Sequence, residues 1–278
     1  MSQDEMSFWD HLEELRWTLF RAILALLIFT IAGFVVMPYL FEHVVMAPTR
    51  ADFVLYKYLC VISSHVGGLL PDFCNQAFHV PIQNIRLASQ FFTHMTSSFY
   101  FALLLAFPYL IFEIWRFVSP ALYENEKKNV RWVFMFGTVM FFIGCLFGYF
   151  VVFPITFRFL ATYELSPDII NQISLDSYMS NFIMLIMIMG VAFELPLLCW
   201  LLSQIGILNK KFFRQYRRYA IVGLLVAAAL ITPSGDPFTL SVVFLPLWFL
   251  YELSAFFVKE APKEEDDDEE PAEVATAK

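Results

Sequence analysis

The sequence predicts an all-α polytopic membrane protein with six transmembrane helices, and three observations predict it. Apolar residues make up 59% of the 278-residue chain, against the roughly 45–50% usual in soluble domains, and the mean hydropathy is +0.63. These residues gather into runs long enough to cross a hydrocarbon core of about 30 Å. Lysine and arginine concentrate in alternate segments between the runs, as expected of a chain that crosses a bilayer repeatedly.

Residues 7–21 read as an amphipathic helix. Ser7 and Asp10 suit its cap and first turn, and Phe8, Leu12, Leu15 and Leu19 recur at helical spacing. It runs directly into a first span, 22–41, which carries no charge until Glu42. The loop 42–90 is punctuated by Pro48, Pro71 and Pro81, and reads as short helices lying over the membrane surface. The second span, 91–112, ends at Glu113, Trp115 and Arg116; a polar loop containing Pro120 leads to the third span, 132–153. A loop with an expected cap at Asp176 precedes the fourth span, 177–202, where Pro196 is expected to bend the helix. A basic loop from Asn209 to Arg218 leads to a fifth span at 219–232, and the turn Thr232-Pro233-Ser234-Gly235-Asp236-Pro237 leads to a sixth at 237–251. Fourteen residues of helix reach only about 21 Å, so spans five and six are expected to be short and to thin the bilayer locally.

Six spans place both termini on one side. That side carries 14 of the 18 lysines and arginines, so both termini are expected to be cytoplasmic. Met1–Asp10 is polar and lacks a basic n-region, so no cleaved signal peptide is expected. Residues 1–258 thus read as one membrane domain. Residues 259–278 hold nine acids and three lysines, a net −6 of the chain's −8, and read as a disordered cytoplasmic tail. Cys145 and Cys199 lie inside apolar runs. Cys60 and Cys74 fall in the loop assigned to the outside, where a disulfide would persist; unpaired thiols are the alternative.

Two groups of acids stand out. Glu194 is an ionisable side chain within an apolar run, where a charge is expensive and marks a functional position by default; a structural hydrogen bond between spans is the other reading. Glu14 and Glu126 fall at the inner surface on the amphipathic helix and the loop between spans two and three. They are placed either to grip one cationic ligand by bidentate pairing or to remain solvated beside Arg16 and Lys127. The chain has no His-Glu-x-x-His, Gly-x-Ser-x-Gly, phosphate-binding loop or Cys-x-x-Cys motif, and its five histidines are scattered. No enzymatic activity, metal, cofactor or nucleic-acid partner is expected. A proton-coupled secondary transporter of a small solute built around Glu194 is the competing function class.

Six short motifs carry a family resemblance. They are His11-Leu12-x-Glu14-Leu15-Arg16; Ala47-Pro48; Phe117-Val118-Ser119-Pro120-Ala121-Leu122-Tyr123-x-x-Glu126; Gly148-Tyr149-Phe150 with Phe153-Pro154; Phe193-Glu194-Leu195-Pro196; and Thr232-Pro233 with Asp236-Pro237-Phe238. In this order the chain resembles the TatC family of twin-arginine protein translocase subunits over roughly residues 8–257. The resemblance implies a concave, cup-like arrangement of the six helices in a bacterial cytoplasmic (inner) membrane. It implies a receptor for folded proteins whose signal peptides carry paired arginines, driven by the proton-motive force. Glu14 and Glu126 would bind the arginine pair, with His11, Arg16 and Phe117 around them, and Glu194 would project into the cup. Thr232, Pro233, Asp236, Thr239 and Ser241 would dock single-span partner subunits of the TatA/TatB type, and Pro48, Pro120 and Pro196 would shape the helices. Self-association and contact with lipid are also implied. Three positions depart from the pattern: Thr18 where a basic residue is common, Lys127 where arginine is usual, and Leu240 where glutamine is common.

A Cys60–Cys74 bridge would close a loop of about 15 residues and contribute roughly 3 kcal/mol. Unreduced, denatured protein is then expected to titrate two free thiols; four would exclude the bridge.

Overall fold

The structure, a computed structural model, describes residues 8–66, 80–118, 124–166, 168, 171–204, 206–232 and 235–258. Among these, five helical segments are long and apolar enough to cross a membrane: Leu12–Thr49, Ser89–Ile114, Phe134–Thr162, Leu175–Gln204 and Pro237–Phe257. The one extended element is a two-residue parallel ladder, β1 (Ile82–Gln83) with β2 (Ile173–Ser174).

Helix α1 (Phe8–Leu40) is continuous over 33 residues, about 50 Å, so the amphipathic segment and first span are one rod. Beyond the surface helix α2 (Val54–Val66), α3 (Ser89–Val118) packs antiparallel along α1. Arg21 meets Glu113 near one end, and His94 Nε2 donates to the Phe34 carbonyl at 2.9 Å near the other. Leu19, Ile23, Leu27, Ile31 and Val35 form a row on α1 that is exposed throughout. A stripe of that size belongs against lipid rather than water.

After Leu40 the chain loosens into a π turn, Phe41–Val45, and a 3-10 turn, Ala47–Thr49, with Pro48 near its start. Three tyrosines from separate elements hold this turn. Tyr56 of α2 donates to the Pro48 carbonyl at 2.8 Å, Tyr149 donates to that of Val44 at 2.9 Å, and Tyr178 donates to that of Val45.

The third span extends beyond its expected end at Phe153. α4 (Glu124–Phe147) passes through a π turn, Gly148–Val152, into α5 (Phe153–Thr162). Pro154 falls in the first turn of α5, where proline starts a helix rather than stopping one. The fourth span is divided into α6 (Leu175–Ala192) and α7 (Leu195–Gln204), with Phe193 and Glu194 between them. Ser174, not Asp176, caps α6 by accepting from the Ser177 amide at 3.3 Å. Asp176 instead accepts from Ser89 Oγ at the foot of α3.

The last two helices are also longer than their apolar runs. α8 (Lys210–Ile231) has 22 residues and α9 (Pro237–Phe257) has 21. Both extensions are held by polar pairs: Arg217 to Glu252 at 2.7 Å, and Tyr251 Oη donating to the Phe213 carbonyl at 3.1 Å. The expected shortness therefore fails for α9, which spans by length. In α8 the first turns are basic and the apolar run covers the second half of the helix. Cys60 is disulfide-bonded and Cys145 and Cys199 are free; Cys74 lies outside the described residues.

Helices α4 and α6 approach closely where Gly144 and Gly190 face them. A Cβ on Gly144 would stand 2.5 Å from the Met189 carbonyl oxygen and 2.8 Å from Phe193 Cβ. Gly144→Ala must therefore separate two backbones, an overpacking cost of about 1–3 kcal/mol. It is expected to lower the melting temperature of the detergent-purified protein; an unchanged melt would contradict this packing.

Candidate functional site

Glu194 sits where the fourth span breaks. Its amide donates to the Val191 carbonyl at 3.0 Å, a tightened turn, and its own carbonyl accepts from Leu198 at 2.9 Å in α7. Pro196, buried in the first turn of α7, supplies the break. The carboxylate turns toward α4 rather than outward. Built on Gly137, a Cβ would lie 3.0 Å from Glu194 Oε2 and 2.6 Å from Leu197 Cδ2, so the small residue leaves the space the acid occupies. Oε1 is buried and has no hydrogen-bond partner among the described residues. A carboxylate in that position costs several kcal/mol unless it is protonated or finds a polar partner. The described residues supply no structural hydrogen bond to Oε1.

The residues expected at the inner surface are spread over three helices. Glu14 is half-buried on α1. Arg16 pairs with Glu13 at 3.1 Å and lies 5.6 Å over the Trp17 ring, so the neighbour that engages it is Glu13 rather than Glu14. Phe117 is half-buried near the end of α3, and Glu126 lies in the first turn of α4. Phe117 is one helical turn beyond Glu113, and Glu14 is about two turns before Arg21, which Glu113 binds. α1 and the end of α3 thus share one end of the molecule. The side chains of His11 and Glu126, and the whole of Pro120, lie outside the described residues.

The residues named for partner docking divide by exposure. Thr232 terminates α8 and is buried, and Asp236 caps α9 by accepting from the Thr239 amide at 2.7 Å. Thr239 is fully buried and faces inward, whereas Ser241 is exposed and donates to the Pro237 carbonyl at 2.7 Å. Leu240 packs against the core. Pro233 lies outside the described residues. Pro48 is buried beneath the tyrosine-held turn.

Two buried charges were not anticipated. Glu113 is 2% exposed and receives Arg21 in a bidentate fork, with Nε at 3.0–3.1 Å and Nη2 at 2.9 Å, plus Tyr109 Oη at 2.8 Å. Thr18 Oγ1 accepts from the same guanidinium at 3.2 Å. Part of the signal was present in the spacing: Tyr109 and Glu113 stand four apart, and Thr18 and Arg21 three apart, on their helices. Arg158, expected in an outer loop, is 1% exposed and lies 4.7 Å over the Tyr56 ring.

Comparison with known proteins decides the family. The model of the Sec-independent protein translocase protein TatC matches residues 10–246. The chain belongs to the TatC family. TatC from Blattabacterium sp. subsp. Periplaneta americana (strain BPLAN) is 33% identical over 254 residues, covering 91% of this chain and 95% of that one. TatC from Helicobacter pylori (strain J99) is 39% identical over 195 residues, covering 68% and 74%. A crystal structure of the twin arginine translocase receptor TatC in DDM is 28% identical, with a TM-score of 0.72 over 90% of this chain and 99% of that one. A second TatC receptor structure gives 27% and 0.67 over 89% and 97%. The chain is thus a multi-pass membrane component of a protein translocation system, not a small-solute transporter.

The Arg21–Glu113 pair yields a test. Arg21→Met strands a buried carboxylate, so it is expected to lower the melting temperature, and adding Glu113→Leu is expected to recover part of the loss. Equal melts for the single and double variants would deny the pair.

Proposed function

We propose that this chain is the receptor and core subunit of a twin-arginine translocase in a bacterial cytoplasmic membrane. Glu14 and Glu126 bind the paired arginines of a signal peptide at the cytoplasmic face, bordered by His11, Arg16 and Phe117. Two guanidinium groups matched to two carboxylates give bidentate contacts that lysines reproduce poorly. Glu194 offers a deeper polar partner inside the membrane wall. Single-span subunits dock near the α8–α9 turn, where Ser241 is exposed, and the proton-motive force drives export. The observation that carries this reading is the match over nine-tenths of the chain to solved chains described as a twin arginine translocase receptor.

The same reading takes α8 as the fifth of six spans. Its apolar half, from Tyr219 to Ile231, covers about 20 Å and thins the bilayer locally. The lysine and arginine bias puts both termini in the cytoplasm, with Cys60 on the opposite, oxidising side.

Glu14→Lys and Glu126→Lys are each expected to abolish crosslinking to a twin-arginine peptide while the protein still inserts. Losing one partner of a desolvated charge pair costs about 2–5 kcal/mol, so affinity should fall at least about 30-fold. A peptide with both arginines replaced by lysine should bind weakly to the parent chain. Undiminished binding by either variant would overturn the assignment of that residue.

A further inference from the structure

The first turns of α8 carry Lys210, Lys211, Arg214, Arg217 and Arg218. At 100° per residue these five fall within an arc of about 120°. Phe213 lies just off this stripe and is buried against Tyr251, so the basic face borders the α8–α9 contact along one edge. Arg217 is paired with Glu252, but Lys211, Arg214 and Arg218 are exposed and have no carboxylate partner among the described residues. A groove of about 540 Å³ runs between the stripe and the last turns of α9, reaching Ala255. The described chain leaves α9 beside this groove, at Phe257 and the buried Val258.

We infer that this groove is the docking surface for the chain's own acidic segment, Glu264–Glu270. That segment holds seven consecutive acids, Glu264, Glu265, Asp266, Asp267, Asp268, Glu269 and Glu270, against a stripe of five bases. The charges are complementary and the tether is short. Glu264 is six residues past Val258, so the acidic run begins within about 20 Å of the helix end. The stripe spans only about 12 Å of helix axis. A tether of this length holds the acids at an effective concentration in the millimolar range, enough for exposed ion pairs that are individually weak. Docked, the segment neutralises the stripe and covers it from the anionic headgroups it would otherwise attract. The contact joins the start of α8 to the end of α9 and does not depend on the signal-peptide assignment.

Zero-length carbodiimide crosslinking of the full chain tests this, using nanodiscs of phosphatidylethanolamine and phosphatidylglycerol. Peptides joining Lys210 or Lys211 to residues 264–270 are expected, and should fall severalfold in 1 M salt as screening shortens. Arg214→Gln/Arg218→Gln keeps both reactive amines but removes charge, and should reduce the crosslinks roughly fivefold. Asp266→Asn/Asp267→Asn/Asp268→Asn should do the same from the other side without touching a helix. Absence of these peptides overturns the inference. So does their appearance only between isotopically distinct copies, or only in discs without phosphatidylglycerol, which would give the groove to a second chain or to lipid.

Discussion

The fold follows from the absence of water around most of its surface. In hydrocarbon a backbone donor or acceptor without a partner costs several kcal/mol, so the spanning segments are helical and every interruption needs a substitute. The substitutes are visible one by one. Thr30, Ser98, Thr138, Ser241 and Ser254 return their hydroxyls to the carbonyl four residues back, which satisfies each hydroxyl within its own helix. Where α1 gives way to π and 3-10 turns, no local donor suffices, and Tyr56, Tyr149 and Tyr178 reach in from three elements. That turn is therefore a junction on which the loop helix α2, the π turn after α4, and α6 all converge.

The same constraint separates the buried Glu113 from the half-buried Glu194. Glu113 is satisfied: Arg21 and Tyr109 supply four contacts among them, and the cluster fastens α1 to α3. Glu194 is placed where the fourth span is broken, in space left by Gly137, with a buried oxygen lacking any partner among the described residues. Among the described residues, Glu194 Oε1 lacks the kind of pairing that Glu113 has. This contrast within one molecule is what motivates the role proposed for Glu194.

Much of this was legible in the sequence, because apolar run length and basic-residue bias are one-dimensional signals. The runs located all five segments that reach spanning length, and Pro196 marked the break beside Glu194. Boundaries were read less well, since hydropathy ends where charge begins but a helix does not. Arg217 and Glu252 look like loop residues until they are seen to pair between α8 and α9. Arg158 looks like an outer-loop charge until Tyr56 is found beneath it. Thr239 reads as a polar docking residue, yet the Asp236 cap turns its helix so that it points inward. In each case the missing information is a partner far away in sequence, which periodicity cannot supply. Glu113 and Arg21, 92 residues apart, show the same limit: each carries a helical-spacing clue, but neither names the other.

The depth of Glu194 in the membrane is coupled to the other end of the chain. α8 has a basic first half with Phe212, Tyr216 and Tyr219 exposed beside it, a composition that seats a helix at the headgroup level. α9 packs on both α8 and α7, and α7 begins one residue after Glu194. A helix seated at the interface by its exposed aromatic rings thus sets the height of the hairpin, and the hairpin sets the height of α7. On the proposed reading of α8 as a span, its apolar half reaches only about 20 Å and the bilayer adapts to the hairpin rather than the reverse. On that reading the depth of the break at Glu194 depends on how α8 is seated as well as on the hydrophobicity of its own span.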